Sequence, residues 1–187
     1  MNEPIFAAEK GFENMGARLL KDRVVLAFGT LDEDKTAGII SALLYLESVD
    51  ASAPIKFYIN STGGSETEAL AVFDMIRTIS CPVHTICVGK AHGMAALILA
   101  GGEKGHRAAY ANSEIMLTQV SRDRTFGQAS DIELETAHLL EIKKRVNELL
   151  SEITQVESTQ ICDHLERKHW LFAAQAKEYG LIDKIIG

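Results

Sequence analysis

Cysteine, basic charge and long apolar runs are all scarce in this chain, and each shortage excludes something. The three cysteines form no even disulfide framework, so the expected setting is a reducing cytoplasm. Lys and Arg number 19 against 26 Asp and Glu, a net charge of -7 that argues against nucleic acid or an anionic membrane as partner. The longest apolar run, Met94 to Ala100, is too short to span a bilayer, and Met1-Asn2-Glu3-Pro4 lacks the basic start of a signal peptide. No linker, repeat or low-complexity stretch interrupts the 187 residues, so one domain over 1–187 is expected. The most consequential absence is local. Between Cys87 and Asn112 there is no serine, threonine or cysteine at all.

That gap coincides with the stretch around which the chain is organised. Thr85-Ile86-Cys87-Val88 reads as a buried strand, and Gly89-Lys90-Ala91-His92-Gly93 turns it into a small, apolar helix beginning at Met94. A strand turning sharply into a helix is where hydrolases often mount a nucleophile, because N–H groups at the helix end can hold an oxyanion. Here the scaffold is present without a reactive atom. Cys81, His84 and Cys87 have a metal-like spacing, but on a strand the two thiols share a face and His84 points away. They are expected as core residues, and neither a metal nor another cofactor is expected.

Elsewhere the pattern alternates strand and helix. Residues 1–16 have no clear period and read as a mobile arm or axial loop. Arg23 to Phe28 and Lys56 to Asn60 read as strands, with a helix from about Leu31 to Ser48 between them. Ser61-Thr62-Gly63-Gly64-Ser65 is a turn, and Ser65 with Glu68 has the spacing of a capping box for a helix carrying Ala69, Val72, Phe73 and Ile76. A strand at Val83 to Val88 follows, then another at Glu114 to Leu117. Repeated βαβ units predict an α/β fold with a mainly parallel sheet. From about residue 131 to 154 a long helix keeps Leu139, Ile142, Val146, Leu149 and Ile153 in a 3-4-3-4 seam. That seam can pack on its own domain or on another subunit. The end, Ala173 to Ile186, reads as a short helix and an apolar tail.

Five segments in order resemble the proteolytic subunit of the Clp (caseinolytic) ATP-dependent protease, a serine peptidase of the crotonase-like fold. They are Arg18 to Val24, Tyr58 to Ser65, Gly127 to Ile132, Asn147-Glu148-Leu149 and Glu178 to Asp183. The resemblance implies a crotonase/Clp-like βαβ core, heptameric rings stacked into a barrel, a long helix serving as the handle between rings, and an AAA+ ATPase as partner.

Matched position by position, the family's nucleophile falls on Gly93, its base on Thr118 and its acid on Lys168. Glycine has no attacking atom, and threonine has no useful pKa near 7. The family's oxyanion-hole donors match Gly64 and Met94, and an inter-ring charge pair matches Glu166 and Arg167. The channel-lining segment after the base is the charged Ser121-Arg122-Asp123-Arg124. Aromatic positions that line the ATPase cleft fall on Lys56, Thr78 and Ala108, with Tyr58 kept. The resemblance therefore implies an inactive, R-type subunit in a homo- or hetero-oligomer with paralogous proteolytic subunits. Two enzymatic readings compete with it. One is an acyl-CoA enzyme of the crotonase superfamily, which the lack of paired carboxylates beside the turn disfavours. The other is a peptidase with an unorthodox nucleophile such as Ser65 or Thr118. His92, next to Gly93, is a lone histidine whose bland reading is surface placement.

Overall fold

In a computed structural model, which describes residues 15–120 and 127–187, a seven-stranded mixed sheet runs β1-β2-β3-β4-β7, with β5 pairing β3 and β6. The strands are β1 (Val24–Phe28), β2 (Ile55–Ser61), β3 (Val83–His92), β4 (Ala108–Tyr110), β5 (Glu114–Leu117), β6 (His169–Phe172) and β7 (Lys184–Ile186). The helices are α1 (Met15–Lys21), α2 (Glu33–Val49), α3 (Glu66–Thr78), α4 (Met94–Ala100), α5 (Ala129–Thr154), α6 (Ser158–Glu166) and α7 (Ala173–Glu178). All ladders are parallel except β5–β6. The parallel core is the one that βαβ alternation predicts.

Strict alternation builds the sheet. In β2, Ile55, Phe57 and Ile59 are fully buried while Lys56 points out. Val25 and Ala27 of β1 and Val83, Thr85 and Cys87 of β3 share that buried face with α2, α3 and α4. α2 starts where Asp32 Oδ1 accepts from Lys35 N at 2.9 Å, an N-cap. α3 starts at Ser65, but the Ser65 side chain makes no capping hydrogen bond, so the expected capping box does not form. The apolar face of α3 is as expected: Ala69, Val72, Phe73 and Ile76 are all buried. On the uncovered sheet face Leu26, Phe28 and Tyr110 are exposed.

Gly89 divides β3 between two sets of partners. Its φ of +83° lies in the left-handed region that glycine alone enters freely. Before it, Ile86 and Cys87 pair with Ala108 and Ala109 of β4. After it, Lys90, Ala91 and His92 pair with Glu114, Ile115 and Met116 of β5. Ser113 fastens the switch, its Oγ donating to Cys87 O at 3.0 Å and accepting from Gly89 N at 3.2 Å. The second half of β3 thereby delivers Gly93 beside β5 and β6. It is longer than its apolar run suggests, because Gly89 and Lys90 interrupt the hydrophobic pattern without interrupting the ladder.

The far end of the sheet is locked by a buried ion pair. Arg107, only 6% exposed in its side chain, reaches Asp183 at 2.7 and 2.9 Å, and Asp183 also accepts from the N–H groups of Gly105 and Arg107. Burial by itself pushes the Asp183 carboxyl up, but the hydrogen bonds and charge of Arg107 outweigh it and hold the group down at about 2. Its folded pKa lies below its ordinary 3.8, so its contribution is present above that value and is lost as pH falls toward 2. Acid titration of the folded protein is expected to show a weakening across that window that Asp183→Asn removes.

The long helix corrects one part of the seam. Val146 is buried within its own domain, and Ile142, Leu149 and Ile153 pack against the same core, with Leu139 half-buried. Exposed apolar residues lie on its outer surface, among them Ile132, Leu134 at 70% exposure, and Leu140. The 3.5-residue period was real, but period cannot say which surface fills it. Of the remaining expectations, the N-terminal arm up to residue 14 and Ser121 to Arg124 lie outside the described residues, while residues 15 and 16 already belong to α1.

Candidate functional site

The site is assembled where β3 ends. Gly93 has φ +55° and ψ −123°, a conformation open to glycine and strained for any residue with a side chain. Its N–H donates to Met116 O at 2.8 Å, and its carbonyl accepts from Ala96 N at 3.0 Å. A Cβ added to Gly93 would lie 3.5 Å from the Thr118 methyl, an ordinary contact. A side chain at residue 93 therefore has room, and it points at Thr118.

β6 brings in the third position. Leu117 pairs with His169 at the last rung of the antiparallel β5–β6 ladder, and Thr118 and Lys168 are the residues next to that rung. Gln119 N donates to Leu165 O at 3.2 Å and holds that end closed. Thr118 is half-buried and Lys168 is exposed. Thr118 thus lies against Gly93, and Lys168 comes one residue before the strand that pairs with β5; none of the three is an imidazole or a carboxylate. Glu166 and Arg167 are exposed beside them at the close of α6.

The turn at Gly63 and Gly64 closes the other side. A Cβ on Gly63 would lie 3.3 Å from Met94 N and 3.0 Å from His92 O, so the turn rests directly on the first turn of α4. Gly64 is even more confined: its Cβ would fall 2.0 Å from Leu31 O. The clash arises because Leu31 N donates to Gly63 O and Ser65 N donates to Leu31 O, stitching the turn to the segment before α2. Among the described residues no acceptor takes the N–H of Gly64 or of Met94. Gly64→Ala is expected to fold poorly or not at all, because backbone rather than a movable side chain opposes the methyl. A thermal unfolding midpoint equal to that of the unaltered chain would contradict this.

His92 is not idle surface. Its Nε2 lies 2.9 Å from Glu114 Oε1, and its ring meets the edge of Trp170 at 5.0 Å and 84°. Sequence reasoning could not find this group, since Glu114 and Trp170 reach His92 only through the β3–β5–β6 ladders. Other candidate nucleophiles fare badly. Burial pushes the Cys87 thiol up to about 11, a hydrogen bond with Ser113 offsetting only part of this, so no thiolate forms near neutrality. Ser65 is exposed at the start of α3. Glu66 and Glu68 lie in the first turn of α3. Among the described residues no group of three or more His, Cys, Asp or Glu could hold a metal, and no helix is long and apolar enough to cross a membrane. A cleft of about 450 Å³ lined by Arg77, Lys104, Arg107 and Glu152 lies at the opposite end of α4, remote from this junction.

An α/β sheet, split at a glycine, feeds a glycine elbow that faces a short antiparallel ladder. The Clp protease family profile matches residues 8–187, and the chain belongs to that family. It is 43% identical over 171 residues to the ATP-dependent Clp protease proteolytic subunit 1 of Salinibacter ruber, a match spanning 91% of this chain and 72% of that protein.

Proposed function

We propose that the chain is a non-catalytic subunit of a Clp-type protease barrel, structural or regulatory in a mixed complex with active proteolytic subunits. One observation carries the reading: the elbow residue, Gly93, has no side chain, and the side chain its Cβ would face is the Thr118 methyl rather than an imidazole. Serine-type hydrolysis needs a nucleophile, a base to take its proton and an anion to steady the resulting cation. Here those positions offer hydrogen, a methyl and hydroxyl, and an ammonium. The free N–H groups of Gly64 and Met94 support an intact cradle. In a worked serine-protease case such a cradle alone leaves roughly 10³–10⁴-fold rate over water, far below the intact triad.

The assembly part rests on the outer surface of α5 and on the exposed Glu166 and Arg167. Ile132, Leu134 and Leu140 present apolar surface that this domain does not cover, as a handle meeting another subunit would. Docking of an AAA+ ATPase falls to the partner subunits, because Lys56 and Thr78 are exposed polar groups where an apolar cleft is wanted and Ala108 is small and buried. Native mass spectrometry at micromolar protein, with and without an active Clp proteolytic subunit, tests the assembly. Rings containing both chains are expected, and Leu134→Asp is expected to weaken them without lowering the thermal midpoint. A monomer under both conditions would overturn the reading.

A further inference from the structure

A second cluster of titratable groups lies outside the elbow. His164, in the last turn of α6, and His169, the first residue of β6, stack with ring centroids 4.6 Å apart and planes 5° from parallel. Between them run Leu165, Glu166, Arg167 and Lys168, so the two rings join the ends of one turn. Tyr179, the C-cap residue of α7, completes the cluster: its hydroxyl lies 2.8 Å from His164 Nδ1, and its ring sits 5.9 Å from that of His169.

We propose that the His164–His169 stack is an acid-operated clasp on this turn, closed while both imidazoles are neutral and opened when both carry protons. Neutral rings stack favourably at this separation. Two imidazolium ions face to face do not, since like charges this close disfavour each other. At His169 the described surroundings supply no relief. Burial, and then the charge of His164, lower the pKa of His169 below 6.5, and no carboxylate or ammonium of α5, β5, α6 or α7 adds to those causes. From α7 the facing group is the Tyr179 phenol, which burial pushes up to about 12, so it stays protonated, its oxygen 2.8 Å from His164 Nδ1. The sign follows: His169 is depressed, so the clasp is complete above pH 6.5 and weakens as pH falls below it.

The consequence is local. The turn carries Leu165, whose carbonyl accepts from Gln119 N, and Lys168, the residue before β6. Opening the clasp frees the β5–β6 end of the junction without touching the parallel core. The inference does not depend on whether the chain is catalytic.

The single tryptophan, Trp170, follows His169 and reports on it. Emission of the intact protein is recorded from pH 8 to pH 5, alongside amide exchange at Gln119 and histidine ring resonances. Expected are a reversible emission change centred below pH 6.5, faster Gln119 exchange over the same range, unchanged far-ultraviolet dichroism, and two-step titration of His164 and His169. His169→Gln is expected to abolish the change, and His92→Gln, which alters the other ring touching Trp170, to leave its midpoint in place. A change that survives His169→Gln but vanishes in His92→Gln would overturn the clasp. So would independent, single-step titration of His164 and His169 in the unaltered protein, a result that does not depend on any variant folding.

Discussion

Gly93→Ser alone is expected to leave hydrolysis of a fluorogenic peptide at the level of the unaltered chain, within a few-fold. The space exists, since a Cβ there makes only an ordinary contact with Thr118. The backbone cost is a non-glycine residue held at φ +55°, about 1–3 kcal/mol, which the surrounding ladders can carry. What fails is proton transfer. A serine hydroxyl attacks only as its proton leaves, and the facing side chain ends in a methyl and a hydroxyl. Lys168, the residue before β6, would supply an ammonium where an anion is needed even if Thr118 were replaced. Triad members act as a unit, so Gly93→Ser with Thr118→His and Lys168→Asp is the smallest set expected to raise turnover, by roughly 10³-fold or more over the single variant. Equal rates for the single and triple variants would reveal a base already in place, and the His92–Glu114 pair would be the first to remove.

Asp183→Ala is expected to destabilise the fold by about 3–5 kcal/mol, a large share of a domain's total stability. The argument concerns what is left behind. Arg107 is 5% exposed, and without Asp183 its guanidinium keeps a contact to Ala100 O at 3.3 Å but has no anion. A buried cation stripped of its partner costs far more than the intact pair contributed. The double change Arg107→Met with Asp183→Ala should therefore recover part of the loss, which urea unfolding of the single and double variants reads directly. A single variant as stable as the unaltered chain would show that water reaches Arg107.

The parallel core was legible because its signals are local. Phe57 and Ile59 alternate with Lys56 and Tyr58, and Ala69, Val72, Phe73 and Ile76 repeat at helical spacing. The elbow at Gly93 was legible from the glycines and the apolar run after them. β4 and β6 were not, since three or four residues carry no period of their own and exist because β3, β5 and β7 offer them ladders. The same limit hid His92–Glu114 and His164–His169–Tyr179, whose members are joined by strand register and helix packing rather than by spacing. Ser65 shows the reverse error: a capping pattern in sequence whose side-chain bond is not made.

The central claim is that the elbow of this subunit has no nucleophile. Its most direct test is a serine-reactive fluorophosphonate, followed by intact-mass analysis of the purified protein and a parallel peptide-hydrolysis assay. The account predicts an unchanged mass and no turnover above background. Stoichiometric mass increase, with hydrolysis that persists through repurification and is lost on labelling, would contradict it.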